Sequence, residues 1–253
     1  MKTIMGMGKN KTGIGTSPKD AKASVESAVE GVPVADWDGS GIAAIRGDYV
    51  RAAEPVGSVP PPTTVKGAAK SAGQMLAGRK PVVLLDKLSE RLAFERTGTR
   101  LYEALLAKID AAGPPPGVSV DDLRRFHDEE HAHMEIVARA IERLGGDPTV
   151  QSPSADVDGV LSMGLLQVIT DPRTSVLHSL HAIHVAELAD NDGWELLIEL
   201  AEGMGQDESV REFKVALREE QEHLASLRRW MSDGVSAEAG TADVAEAAAP
   251  SAP

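Results

Sequence analysis

Apolar positions recur at helical spacing in four long segments between about residues 82 and 232. The first runs roughly Val82–Ala111 and stops where Gly113, three prolines and Gly117 follow one another. The second begins near Ser119, whose side chain can cap it, with Asp121 and Asp122 in its first turn, and it ends at Gly145 and Gly146. The third is expected to start with Asp171 as N-cap and Pro172 at the first helical position, and to end near Gly203. The fourth covers about Ser209–Met231. Short loops join the first to the second and the third to the fourth, so each pair should form an antiparallel hairpin. The stretch between the pairs is longer and suits a crossover carrying a short extra helix around Val157–Ile169. Two hairpins joined by one long crossover predict an all-α four-helix bundle over residues 81–232.

The flanks read differently. Residues 1–80 are rich in Gly, Pro, Ser and Thr, with short helical patterns near Ala43–Ala53 and Val65–Ala77. Their first 22 residues carry five lysines and one aspartate, against the acidic trend of the whole. An irregular extension is expected, flexible or packed on a partner. From Ser236 the chain is Ala-rich without a periodic face, so residues 233–253 read as a disordered tail.

The two hairpins repeat each other. With Glu95 aligned on Glu187, the run from Tyr102 to Leu106 matches that from Trp194 to Ile198, and Asp128–Met134 then matches Arg218–Leu224. The step from Glu95 to Glu130 is 35 residues, and that from Glu187 to Glu220 is 33. Each hairpin thus supplies one Glu and then a Glu-x-x-His: Glu130 with His133, and Glu220 with His223. Helical geometry places all of them on apolar stripes. Glu95 shares a face with Leu88, Leu92, Tyr102 and Leu106, and Glu220 and His223 share one with Phe213, Leu224 and Leu227. The depths match as well, because Glu130 and Glu220 each lie about 11 residues beyond their hairpin turns, at 1.5 Å per residue.

Four carboxylates in an apolar core each cost several kcal/mol if ionised and unpaired. Two divalent cations would neutralise them, and two neutral imidazoles would complete the ligand set. The charge balance therefore points to a dinuclear centre. A carboxylate-rich set with two imidazoles suits Fe(II), and Mn(II) also fits.

Composition narrows the rest. The 253 residues are 42% hydrophobic but only 3% aromatic, which favours a helical core of Leu, Ile, Val, Ala and Met. There is no cysteine, which excludes Cys-ligated zinc, iron–sulfur clusters and a rubredoxin-type module. The net charge of −13 disfavours nucleic acid and anionic lipid as partners. No apolar run approaches the ~18 residues of a membrane span, and the start lacks the apolar stretch of a secretory signal, so a cytoplasmic location is expected.

The pattern resembles the ferritin-like superfamily of di-iron carboxylate proteins, which includes rubrerythrin, bacterioferritin and ferritin, over about 150 of the 253 residues. The resemblance implies that Glu95 and Glu187 are terminal carboxylates, that Glu130 and Glu220 bridge two iron ions, and that His133 and His223 each cap one. It implies Fe(II) and O2 or H2O2 as reactants, in a ferroxidase or peroxidase-like role in iron handling or oxidative-stress defence. It also implies a homo-oligomer, with an electron donor or shell protein as a further partner. Two alternatives stay open: an oxidase or oxygenase acting on an organic substrate, and a non-catalytic metal-binding bundle.

Several other residues bear on the site. His184, on the helix of Glu187, is a candidate supplementary ligand or a residue of a partly exposed edge. His127 and His131 read as outlying or surface groups. Tyr102 and Trp194 are core spacers or redox-active neighbours. Glu129, Glu219 and Glu222 fall beside the inward stripe, where a solvated face is expected and an inward turn would make a seventh ligand.

Overall fold

A computed structural model of the chain describes residues 17–31, 39–64, 67, 69, 73 and 78–241. Among the described residues seven helices are delimited and no strand occurs. The chain divides into two compact units, Met1–Pro55 and Val56–Pro253.

The first unit contains α1 (Pro18–Gly31) and α2 (Ser40–Ala52). The latter corresponds to the helical pattern expected near Ala43–Ala53. None of its residues is buried, and Ile45, Tyr49 and Val50 stand exposed.

The second unit holds α3 (Pro81–Ala112), α4 (Val120–Arg143), α5 (Pro153–Thr170), α6 (Val176–Gly203) and α7 (Asp207–Ala239). It begins earlier than the expected boundary at residue 81. Val59 packs against the apolar core, and Thr63 donates its backbone N–H to the carbonyl of Gly145 at 2.8 Å. The helical pattern expected over Val65–Ala77 falls mostly outside the described residues.

The local chemistry of the helix starts explains their positions. Ser119 Oγ accepts from the Asp122 N–H at 3.1 Å, as its capping role requires. Ser152 caps α5, with Pro153 at its first position, and Asp86 on α3 binds the hydroxyl and N–H of Ser154. The start of α6 corrects the expectation placed on Asp171 and Pro172. Ser175 is the N-cap, and its side chain and His178 form a reciprocal capping box. Asp171 instead closes α5 and turns its carboxylate onto the N–H and guanidinium of Arg173. Lys108 holds that turn by donating to the carbonyls of Asp171 and Thr174 at 3.0 and 3.2 Å. At the other end, α7 continues to Ala239, eight residues past the expected Met231, so Ser236 is helical rather than part of a tail. The tail expected beyond it lies outside the described residues from position 242.

α3 packs along α4 and α5, and α6 along α7, with further contacts of α3 on α6 and of α4 on α7. The interior is layered. Toward one end, Leu84, Leu88, Val137, Ile141, Trp194, Leu197 and Phe213 form one apolar cluster. Toward the other, Leu101, Leu105, Leu123, Phe126, Leu180, Leu227 and Trp230 form a second. On α3, α4, α6 and α7 alike, the ionisable residues Glu95, Glu130, Glu187 and Glu220 fall between the residues contributed to the two clusters. The fold thus encloses a polar layer between two apolar ones.

Candidate metal centre

All six residues singled out by the repeat are buried, with Glu95, His133, Glu220 and His223 fully inaccessible and Glu130 and Glu187 no more than 2% exposed. Their donor atoms converge. One atom each from Glu130, Glu187, Glu220 and His223 lie within 4.8 Å of one another. Glu95, His133 and Glu220 form a second such group, so Glu220 belongs to both. Its carboxylate lies between the two imidazoles, 2.6 Å from His133 Nδ1 and 3.1 Å from His223 Nδ1.

Each imidazole is fixed by its outer nitrogen. His133 Nε2 lies 2.8 Å from Glu219, and His223 Nε2 lies 2.8 Å from Glu129. Glu129 and Glu219 stay partly exposed at the surface, as expected beside the inward stripe, and from there hold the rings so that Nδ1 faces inward. Both contacts cross between hairpins, since His133 and Glu129 lie on α4 while His223 and Glu219 lie on α7. Aromatic packing assists. Phe126 lies against His223 with ring centroids 4.1 Å apart, and Trp194 meets His133 edge-on at 5.7 Å. Glu222 does face outward, where it pairs with Arg125 at 2.6 Å.

Two further partners distinguish the halves. Tyr102 donates its hydroxyl to Glu187 Oε1, so it is more than a core spacer. Glu95 Oε1 instead accepts from Arg91 at 3.2 Å, and Arg91 is anchored by a second, closer bond to Asp190. Asp190 itself groups with Glu95, Glu130 and Glu220 within 4.8 Å. The repeat gave no notice of Arg91 or Asp190. Their signal was positional: Arg91 lies one turn before Glu95 and Asp190 one turn after Glu187, on the same inward faces.

Close approach at two glycines makes room for these groups. A Cβ on Gly98 would overlap the Glu130 carboxylate, and one on Gly193 would overlap the Arg91 guanidinium. Asn191 ties the frame together by donating to the backbone carbonyls of Glu187 and Glu220.

His184 does not join the centre. It lies one turn before Glu187 but rotated about the helix axis, and it belongs to none of the convergent groups among the described residues. Burial, and then the charges of Arg228 and His181, hold its imidazole below the usual value. His127 and His131 pair with outlying acids, Asp128 at 2.9 Å and Glu135 at 3.7 Å.

The titration behaviour follows from crowding anions in a dry interior. Burial and then the charge of Glu220 raise Glu187 to about 8, and the same causes hold Glu130 well above the carboxylate range. Burial raises Glu95 to about 7 against the pull of Arg91. Burial would lower both imidazoles, but the carboxylates around them outweigh it. His133 is held up to about 10 by Glu219 and Glu220, and His223 well above its usual value by Glu129, Glu187 and Glu220. Glu220 is held below the carboxylate range because both imidazoles outweigh its burial.

The donor set fits a pair of divalent cations. Glu95 Oε2, Glu130 Oε2, Glu187 Oε2, both oxygens of Glu220, and Nδ1 of His133 and His223 are buried without a hydrogen-bond partner. The Glu220 oxygens and the two Nδ1 atoms face one another as ion pairs, and Glu95 Oε2, Glu130 Oε2 and Glu187 Oε2 are left facing the same space; since buried polar atoms are nearly always partnered, the group as a whole suits a bound cation. Charge agrees: five carboxylates, with Asp190 counted, balance two divalent ions and the Arg91 guanidinium while both imidazoles stay neutral. No protein-family model matches the chain, nor does any curated protein or solved structure.

Proposed function

We propose that the chain is a ferritin-like di-iron carboxylate protein in which α3, α4, α6 and α7 form a four-helix bundle, α5 lies in the crossover, and Fe(II) reacts with O2 or peroxide at the buried centre. The observation that carries this reading is the convergence of buried donor atoms, from four carboxylates and two imidazoles, on one space between two apolar layers. Glu95, His133 and Glu220 would hold one ion, and Glu130, Glu187, Glu220 and His223 the other, with Glu220 shared. Two Fe(II) ions held there would supply two electrons to O2 or peroxide.

The chain's own residues do the remaining work. Glu129 and Glu219 keep the imidazoles oriented as Nδ1 donors. Tyr102 keeps one oxygen of Glu187 hydrogen-bonded and leaves the other free to bind. The Leu, Trp and Phe side chains on either side exclude bulk water and so strengthen each charge interaction inside. Glu187 and Glu130, which favour the protonated state before metal binds, can take up protons when the charge of the centre changes. The near-complete burial of the donors favours a small oxidant over a bulky organic substrate, which would have to displace packed core.

The test is aerobic mixing of Fe(II) with the protein under steady-state conditions. Repeated oxidation of many Fe(II) per chain, well above the buffer rate, supports the reading. A single oxidation of the bound ions that then stops until a reductant is added favours the oxygenase alternative. No oxidation, together with thermal stability that metal leaves unchanged, favours a structural bundle.

A further inference from the structure

α5 carries packing residues on two opposite sides. Toward the interior, Ala155, Asp158, Ser162 and Ile169 are buried, and the half-buried Leu165 and Leu166 pack on the second apolar cluster. Toward the outside, Val157, Leu161, Gly164 and Val168 follow one another at steps of four, three and four, with Val160 and Met163 beside them. The outer side chains are exposed, from 38% at Val168 to 72% at Leu161, and a Cβ added at Gly164 would meet nothing. A helix that is apolar all round is normally buried all round. α5 packs only on α3 and α6, so among the described residues its outer face is left uncovered.

Spacing and charge define what would cover it. Steps of four and three are those of a helix–helix seam, in which side chains of one helix seat between those of the other. Gly164 lies one turn from Val160 and Leu161 and opens a hollow for such a side chain. From Val157 to Thr170 no exposed residue of α5 is ionisable, although 26% of the chain is charged. Two copies of a chain with a net charge of −13 repel each other, and they approach at lowest cost where neither presents a charge. A neutral stripe is also complementary to itself, as a two-fold contact requires. The 18 residues of α5 give it a length of about 27 Å. A standard dimer covers roughly 800 Å² per partner. The stripe would form the apolar centre of such a contact, with Asp156, Gln167 and Thr170 at its polar rim.

We propose that α5 is a dimerisation helix, whose outer stripe of Val157, Leu161, Gly164 and Val168 pairs with the same stripe of a second copy about a two-fold axis. The ferritin-like resemblance implies a homo-oligomer without a surface for it. The assignment of this surface does not depend on the metal centre.

The experiment is sedimentation equilibrium of the full chain over a concentration series, beside the variants Leu161→Glu and Leu161→Lys. The wild type is expected at twice the 26.7 kDa chain mass, or at an even multiple of it. Each variant alone places like charges face to face and should weaken the pairing by about a hundredfold or more, halving the mass. Circular dichroism should show the helical content unchanged, since Leu161 is exposed in the single chain. Mixed one to one, the two variants should regain the wild-type mass, because the glutamate of one copy then meets the lysine of the other. A wild type that is monomeric at every concentration would overturn the proposal and leave the stripe to a different partner. Variants that keep the wild-type mass, or a mixture that fails to regain it, would overturn the two-fold pairing of α5.

Discussion

The hairpin of α3 and α4 and the hairpin of α6 and α7 present the same three ligand types at nearly the same spacing, yet they solve the cost of burying a carboxylate differently. Around Glu95 the chain places a guanidinium anchored by an aspartate from the other hairpin. Around Glu187 it places a phenol, again from the other hairpin. The imidazoles follow the same crossed rule, each held by a glutamate of the opposite hairpin. What repeats is the chemistry that would touch metal, and what differs is the support. The phenol on Glu187 and the glutamates on both imidazoles cross over, and Arg91, on Glu95's own helix, is anchored from across, so neither hairpin orients its full set of buried groups alone.

The largest break in this comparison comes at the residue both halves share. Glu220→Ala should weaken binding of both ions beyond the roughly 10–100-fold typical of an outer partner, as read by Mn(II) calorimetry. Survival of one ion at wild-type affinity would mean that Glu220 serves a single half.

Protons offer a test in which the hairpins act together. Near neutral pH the metal-free protein keeps His133, His223, Glu130 and Glu187 protonated, because their values lie at about 10, well above usual, well above usual and about 8. Binding needs them deprotonated, so loading must release protons and apparent affinity must fall as pH falls. Calorimetry in buffers of different protonation enthalpy should show release of about two protons or more per chain. A pH-independent affinity between pH 6 and 8 would contradict this account.

Separating the halves calls for smaller changes. Glu129→Gln should weaken the His223 half and Glu219→Gln the His133 half, each by roughly 10–100-fold. Equal effects of both variants on both binding steps would show that the crossed support is not specific. Smaller still, Gly98→Ala and Gly193→Ala should each destabilise the metal-free protein by about 1–3 kcal/mol through overpacking, seen as a lower denaturation midpoint. Gly98→Ala should also impair metal binding by displacing Glu130. Glu222→Ala, which breaks only the surface contact with Arg125, should cost less than about 1 kcal/mol and leave binding unchanged.

The comparison also explains what could be read from the chain beforehand. The helical segments are legible because apolar periodicity runs unbroken through Leu84–Leu105 and Val210–Leu227, and the buried Glu and His cluster because two Glu-x-x-His repeats fall on that periodicity. A repeat displays what two segments share and hides what they do not. Arg91 and Asp190 have no counterparts, and Glu129 and Glu219 sit just off the inward stripe, so their roles depend on a neighbouring helix that periodicity does not specify. The start of α6 was misplaced for a similar reason. Asp171 followed by Pro172 carries a helix-start signal, but Arg173 and Lys108 claim that aspartate and its carbonyl, and the stronger box of Ser175 and His178 opens the helix instead.

The most direct test of the account is the number of iron ions retained per chain after anaerobic loading with Fe(II) and desalting, in the wild type and in the double variant Glu130→Ala, Glu220→Ala. About two ions are expected in the wild type, one for each half of the centre, and none in the variant. Retention of the same number in both proteins, or of none in either, would contradict it.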